Sequence, residues 1–521
     1  MRLPRTASSW TAIPIHTALL AAFPGLFLFA ENAADQLVLD PLWAPLAFSV
    51  AGALVAFAVA MALTRDLVRA GLIASLLVVL FFSFGHVWIQ LADTLPSRAV
   101  LVAVYGLVAV AGIWLIWRGG GWTVPLSQFA NAAAIALVLL NVVRIVDFTT
   151  GPAAADAAEP PLDVAVPVEG DHPRPDVYFI VFDRYANSET LDRIYGYDNG
   201  PFLRELEERG FVVAEDSWSS YFKTAPSLLS TLSMEYLDGE VFREEDEDPP
   251  TMAPIHRRLQ QHLPVPTTFK GLGYEYIHIG SWWYPTSRNV DADLSVTYAS
   301  HSEFGNALAN TTALSLLQPE EPIDDNREAP NRPDLARNHT LFEFELLEQA
   351  IRRPGPTFVF AHLLVPHPPY VFREDGSMTT VEERRTGSRE QLYRDQLTWT
   401  NGRILDLVDQ ALDAPGEEPV IILQADEGPY PPRFAGNTET FDWLEEATPE
   451  EILQKHGILN AMHLPGIDPE AAGVHDRMSP VNTFRIVFNE YFGADLPPLP
   501  DRVYLTPDYA RMYDFTEYER P

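Results

Sequence analysis

Pro175-Asp-Val-Tyr-Phe-Ile-Val-Phe-Asp183 is the stretch that decides the fold: six apolar residues in a row, closed by aspartates at both ends. A strand covered on one face alternates apolar with polar residues, whereas one covered on both faces reads as a continuous apolar run. The run therefore predicts a strand inside a sheet layered between helices, with Asp183 delivered at its carboxyl end. Related runs follow at Phe211–Glu215, Tyr274–Ile279, Thr357–Val365, Pro419–Gln424 and Ile458–Leu464. Helical segments fall between them at Pro201–Arg209, closed by Gly210, and at Pro226–Leu237 and Tyr393–Leu412. This alternation predicts an α/β domain with a central, mostly parallel sheet flanked by helices, over residues 176–500, and a C-terminal tail over 501–521. In such folds ligands gather outside the carboxyl ends of the strands. Residues 240–250 and 318–335 read as acidic, Pro-rich loops, and the chain carries neither an internal repeat nor the glycine pattern of a P-loop or a dinucleotide fold.

Upstream, the composition changes. Five apolar stretches, about 12–30, 43–63, 68–91, 98–117 and 124–146, each approach or exceed the roughly 20 residues that cross hydrocarbon as a helix. A cleaved signal peptide accounts for the first alone. Residues 1–147 are therefore expected to be a five-helix transmembrane region, followed by a linker over 148–175 rich in Ala, Pro, Asp and Gly. Arg2 and Arg5 precede the first stretch, Arg65 and Arg69 separate the second from the third, and Arg118 separates the fourth from the fifth. The alternate loops hold Glu31, Asp35 and Asp40, then Asp93 with Arg98. The arginine-rich side is expected to be cytoplasmic. Five crossings of the cytoplasmic (inner) membrane then place the α/β domain outside the cytoplasm.

The formal net charge is −35, and nearly all of it lies beyond residue 150, because residues 1–150 hold seven Arg against six Asp or Glu. Such a surface repels nucleic acid and disfavours anionic headgroups, but a metal ion or a helix N-terminus can still supply local positive charge to a phosphate. With no cysteine, disulfides, thiolate metal sites and cysteine nucleophiles are excluded. The spans carry no cluster of charged residues of the kind a transport pathway requires.

Four places present chemistry. Asp183 and Asp426-Glu427-Gly428 each follow a buried strand, and His362 lies within one, with His367-Pro-Pro-Tyr370 just beyond it. Lys223-Thr224-Ala-Pro226-Ser-Leu228 opens an apolar helix, with proline suited to the first turn. A hydroxyl at a helix N-terminus suits attack on a phosphoryl group, whose oxygens can meet the open N–H groups. Threonine is a weak nucleophile unless activated, for example by a metal, and Asp183, Asp426 and Glu427 offer hard oxygen ligands for one.

These elements, in this order, resemble the alkaline phosphatase superfamily, which includes sulfatases, lipoteichoic acid synthases and phosphoethanolamine transferases. The resemblance covers about residues 174–500, and the stretch from Leu464-Pro-Gly to Met478-Ser-Pro-Val-Asn-Thr-Phe484 looks like the superfamily's closing strand and helix. The preceding spans resemble the architecture of the two membrane-bound groups. The resemblance implies Thr224 as nucleophile and metal ligand, and Asp183, Asp426 and Glu427 as further ligands, with Glu427 standing where relatives usually have His or Asn. It implies substrate contacts from His367, from Lys223 beside Thr224, from Arg288 after Gly280-Ser-Trp-Trp-Tyr, and from His362.

The departures sharpen the expectation. Sulfatases need a cysteine or serine in a Cys/Ser-x-Pro-x-Arg motif, whereas this chain has Thr224 and Leu228 there, which speaks against oxidative maturation. An oxygen-rich set implies one divalent metal, Mn or Mg, with Ca as a further choice, rather than Zn. A second metal would draw on His362, His463 or His475. Trp282, Trp283 and Tyr284 offer a wall for a lipid or sugar group. The expected function is sulfatase-like phosphotransfer or hydrolysis on a membrane lipid or envelope glycan phosphoester, with a catalytically degenerate envelope-binding domain as the alternative.

Overall fold

The computed structural model describes residues 13–31, 39–91, 94–95, 97–150, 174–242, 251–298, 303–317, 333–435 and 440–521. The chain divides into two compact units, residues 1–158 with 301–320, and residues 159–300 with 321–521. The expected linker lies outside the described residues except at its two ends.

The first unit contains α1 (His16–Glu31), α2 (Asp40–Thr64), α3 (Leu67–Leu91), α4 (Arg98–Arg118) and α5 (Thr123–Thr150). Four of these, α2 to α5, are long and apolar enough to cross a membrane. The fifth expected span is not confirmed: α1 is apolar but its described helix spans 16 residues, or about 24 Å at 1.5 Å per residue, against a hydrocarbon core of about 30 Å. The start of α1 is held by polar contacts: His16 Nδ1 meets Ser75 Oγ at 2.6 Å and Nε2 meets Ser127 Oγ at 3.1 Å. A segment from far along the chain belongs to this unit too. The helix Glu303–Asn310 and the turn Ala313–Leu317 pack on the spans, with Phe304 edge-on to Phe29 at 5.8 Å and Arg98 Nη1 donating to Ser315 O at 2.9 Å. Gly85 permits this approach, since a Cβ there would fall 2.2 Å from Asn310 O.

The second unit is built on a seven-stranded sheet: β1 (Val177–Phe182), β2 (Phe211–Val213), β3 (Glu275–Gly280), β4 (Leu294–Thr297), β5 (Thr357–Leu363), β6 (Val420–Gln424) and β7 (Asn460–His463), in the order β2-β7-β6-β1-β5-β3-β4. β7 runs antiparallel to both its neighbours, and the other pairs are parallel. β1 is wholly buried because the side chains of both its faces are covered. Tyr178, Ile180 and Phe182 pack with Phe344 and Leu347 of α7 (Pro333–Ile351) and with Leu397 and Leu407 of α8 (Arg389–Leu412). Val177, Phe179 and Val181 join Phe358 and Phe360 on the other face, against α6 (Thr224–Ser233) and α10 (Thr483–Phe492). There Phe179 stacks on Phe360 at 5.4 Å and meets the edge of Phe484 at 5.1 Å. By the period-two rule His362 shares the face of Phe358 and Phe360, the face that carries α6. Residues 503–518 form a ribbon of β8 (Val503–Leu505) and β9 (Thr516–Tyr518), with Val503, Leu505 and Met512 buried. α9 (Pro449–His456) leads into β7.

Candidate active site

The carboxyl ends of β1, β5, β6 and β3 open on one edge of the sheet, where Asp183, His362 and Asp426 come together. Asp183 makes the last rung of the β1–β5 ladder, its N–H donating to Leu363 O at 2.9 Å. The next residue, Arg184, turns the chain with φ of 62°, a left-handed conformation disfavoured for a side chain of its size. Tyr393 Oη donates to Arg184 O at 2.8 Å and helps hold that turn. Beyond β6, Gly428 N donates to Lys455 O at 2.7 Å. A Cβ at Gly428 would lie 2.1 Å from Gln454 O, so only glycine lets α9 come this close.

Asp183, His362 and Asp426 each turn one ligand atom into a common point, all within 4.8 Å of one another. His362 Nε2 stands 3.7 Å from Asp183 Oδ2, and its Nδ1 is engaged by Thr286 Oγ1 at 2.8 Å. All three side chains are buried, and Asp183 Oδ1, His362 Nε2 and both Asp426 carboxylate oxygens lack a hydrogen-bond partner. Buried polar atoms are nearly always partnered, so orphaned atoms on three residues whose ligand atoms converge mark a place for a ligand. Their chemistry, two carboxylates and one imidazole, fits a divalent cation. Without one the carboxylates are costly. Burial, reinforced by Asp426, holds Asp183 well above the usual carboxylate range, with Arg184 opposing. Burial, then Glu427, pushes Asp426 up to about 7, with the Thr224 hydroxyl opposing the shift. Burial pulls His362 down to about 3, keeping its imidazole neutral, as a metal ligand must be.

Glu427 sits differently. Its Oε1 lies 3.2 Å from Arg184 Nε and its Oε2 2.7 Å from Lys455 Nζ, all three side chains being buried. Burial draws Lys455 down to about 7, a fall that Glu427 resists. Glu427 is not a member of the three-residue cluster. Two cations already compensate its charge, which leaves Asp183 and Asp426 as the carboxylate pair that one divalent ion balances.

Thr224 begins α6, whose residues Ala225 to Ser233 are all buried, so the helix is fixed with its N-terminus toward this edge. Thr224 lines a cavity open to solvent, with Asp183, Arg184, Lys223, His367, Trp282 and Trp283 among its other walls. His367 is buried, accepts the edge of Trp282 at 5.8 Å between centroids, and is held well below the ordinary imidazole range by burial and then by Arg184. Arg288 is half-buried in the loop after the turn Tyr284–Thr286 and is not among the side chains lining the cavity. His463 contacts Pro419 O and Glu418 near the opposite end of β6, and His475 pairs with Asp501, so neither joins the cluster.

The sequence reasoning passed over Arg184, Lys455 and Tyr430. One signal for Lys455 was present: it is one of three lysines in the chain. For His362 the signal was a histidine inside an apolar strand predicted to lie in the same sheet as the one that delivers Asp183.

No family model matches the chain, and no curated protein matches it. Solved structures similar to it include the C-terminal periplasmic domain of EcEptC from Escherichia coli, at 14% identity and a TM-score of 0.41 over 68% of this chain and 94% of that one. The C-terminal periplasmic domain of the phosphoethanolamine transferase EptC from Campylobacter jejuni is similar at 12% identity and a TM-score of 0.37, over 62% and 91%. BT1596, a 2-O GAG sulfatase, is similar at 15% identity and a TM-score of 0.36, over 65% and 79%.

Proposed function

We propose that this protein is a membrane-anchored, metal-dependent phosphoester enzyme of the sulfatase-like class, with Thr224 as its nucleophile. The observation that carries this is the meeting of three buried ligand atoms, one each from Asp183, His362 and Asp426, beside a threonine that opens a buried helix onto a cavity. Asp183, His362 and Asp426 hold the metal, with the Thr224 oxygen as a further ligand. The imidazole in this set favours Mn or Zn over an all-oxygen ion such as Ca. When bound, the ion lowers the pKa of the threonine hydroxyl and offsets phosphoryl charge.

The chain's own groups do the rest. Asp426, whose ionised form the Thr224 hydroxyl favours, orients that oxygen. The N–H groups at the start of α6, with Arg184 and Lys223, receive the phosphoryl oxygens. His367 stands at the cavity wall to contact the same group. The Thr224 Oγ–P bond forms as the bond from phosphorus to the departing alcohol breaks, and the hydroxyl proton leaves with that alcohol. A glycan or lipid hydroxyl then takes the phosphoryl group from Thr224, or water does so in hydrolysis. The spans hold the domain at the inner membrane, on its extracytoplasmic side, within reach of a lipid donor or an envelope glycan.

Purified full-length protein in detergent, loaded with Mn and given labelled membrane lipid, should gain the mass of the transferred group on Thr224. Thr224→Ala should gain none, and Asp183→Asn should lose both adduct and metal. Metal-replete protein that never acquires an adduct and turns over no ester would sink the proposal. An alkaline phosphatase reporter fused after residue 160 should be active in cells, and a silent fusion would overturn the orientation.

A further inference from the structure

The cavity wall carries an ammonium group of its own inside an aromatic box. Lys223 Nζ lies 5.2 Å from the ring centroid of Tyr430, 5.6 Å from Phe434, 5.7 Å from Tyr509 and 6.0 Å from Phe222. It also donates to Tyr430 Oη at 3.0 Å. Rings grouped around a cation at this range are the arrangement by which proteins recognise ammonium headgroups. Here the box is filled from within. The Tyr430 ring carries two more cations, with the Arg184 guanidinium carbon at 3.7 Å and Lys455 Nζ at 3.8 Å. Among the described residues lining the cavity the one carboxylate is Asp183, which belongs to the metal cluster. The wall thus offers positive charge and aromatic faces, and no carboxylate of its own for an incoming cation.

We infer, resting on the phosphoester reading above, that Lys223 selects phosphoesters whose transferred group is uncharged or anionic, such as a polyol or a sugar, and turns away those bearing an ammonium. The group concerned is the one that stays on phosphorus when the Thr224 Oγ–P bond forms and the alcohol departs. Polyols and sugars gain from the same wall, because Lys223 donates to hydroxyls and Trp282 and Trp283 present rings to the cavity. An ammonium placed against Lys223 in a partly desolvated cavity meets like charge, and a discrimination of about tenfold or more is expected from that repulsion.

The test compares phosphocholine with 3,3-dimethylbutyl phosphate, which has the same shape with carbon in place of nitrogen. Binding to the Mn-loaded full chain is read from the fluorescence of Trp282 and Trp283 at the cavity. The wild type should bind the dimethylbutyl ester at least about tenfold more tightly, and Lys223→Met, which keeps the chain length and removes the charge, should shrink that gap to about threefold or less. Lys223→Arg should keep it. Equal binding of the two esters by the wild type, binding of neither, or an unchanged gap in folded Lys223→Met overturns the inference. Where Lys223→Met does not fold, the wild-type ratio decides. The phosphoryl-transfer reading stands or falls separately on the Thr224 adduct: a persistent gap with no adduct removes that reading alone, and an adduct with equal binding removes the selectivity alone.

Discussion

Replacing Glu427 by histidine separates two accounts of that position. By sequence resemblance the substitution restores the usual metal ligand and should strengthen metal binding. By the geometry it removes the one carboxylate that holds two buried cations, Arg184 at 3.2 Å and Lys455 at 2.7 Å, whose side chains are 3% and 0% exposed. Breaking a buried pair by deleting one partner costs about 3–5 kcal/mol, because the surviving charge remains desolvated. A neutral imidazole cannot replace a charge that compensates two cations. At about 2 °C per kcal/mol for a domain of this size, the apparent Tm should fall by roughly 5–10 °C. The assay is thermal unfolding of the full chain in detergent, followed by tryptophan fluorescence, alongside metal content by mass spectrometry. Glu427→Gln combined with Lys455→Met removes one charge of each sign and should unfold at a higher temperature than Glu427→His. A Glu427→His protein that melts at or above the wild-type temperature, or that binds a second equivalent of metal, would refute the reasoning.

The metal cluster can be probed through the contact that orients its imidazole. Thr286→Val removes the hydroxyl at 2.8 Å from His362 Nδ1, and loss of such an orienting partner typically weakens metal affinity about 10–100-fold. Equilibrium titration with Mn should show this weakening, and His362→Ala should abolish stoichiometric binding; wild-type affinity in either variant would remove His362 from the metal set. Stability should also depend on pH through His278, which is fully buried and which burial holds down at about 4. Its folded pKa lies below its unfolded value near 6.5, so the unfolded chain binds the extra proton first. Its contribution is intact above about 6.5 and is lost as pH falls toward 4, amounting to about 2 kcal/mol at pH 5. The fall in apparent Tm between pH 7.5 and pH 5 should be smaller in His278→Gln than in the wild type, and an equal fall would assign the effect elsewhere.

How much of this was legible depends on what each feature is made of. β1, β5 and β6 were readable because strands buried on both faces leave unbroken apolar runs, and Asp183 and Asp426 were readable because each follows such a run. β4, Leu294–Thr297, was not, since it is a four-residue edge strand of mixed exposure with no apolar run to betray it. The direction of β7 was not readable either, because an apolar stretch has no sign. The packing of residues 303–317 with the spans rests on tertiary contacts of Phe304, Thr311 and Ser315 far from those helices in sequence. His362 was singled out as a substrate contact or as part of a second metal site, whereas the geometry groups it with Asp183 and Asp426. The ion triad is the deepest gap. Arg184 reaches Glu427 only because its backbone is left-handed, and Lys455 does so only because Gly428 admits α9. Neither is a pattern in composition or periodicity.

That triad also bears on the acidity of the whole chain. A net charge of −35 would by itself hold a phosphoester away. At the candidate site, however, Arg184 and Lys455 pair with Glu427 and Lys223 lines the same cavity, so positive charge stands close to the carboxylates Asp183 and Asp426. Two of the carboxylates lack hydrogen-bond partners on the oxygens that face the cluster, and all three cations touch the single ring of Tyr430. One divalent ion on the orphaned oxygens leaves the site with a surplus of about two positive charges, in a setting where burial weakens screening. A second metal would add two more, and the further unbonded carboxylate oxygen described at this site, Glu427 Oε2, already lies 2.7 Å from Lys455 Nζ. The swap of a histidine for Glu427 in this chain is then part of one arrangement. A fixed pair of protein cations, held by Glu427, supplies positive charge that a second ion would otherwise bring.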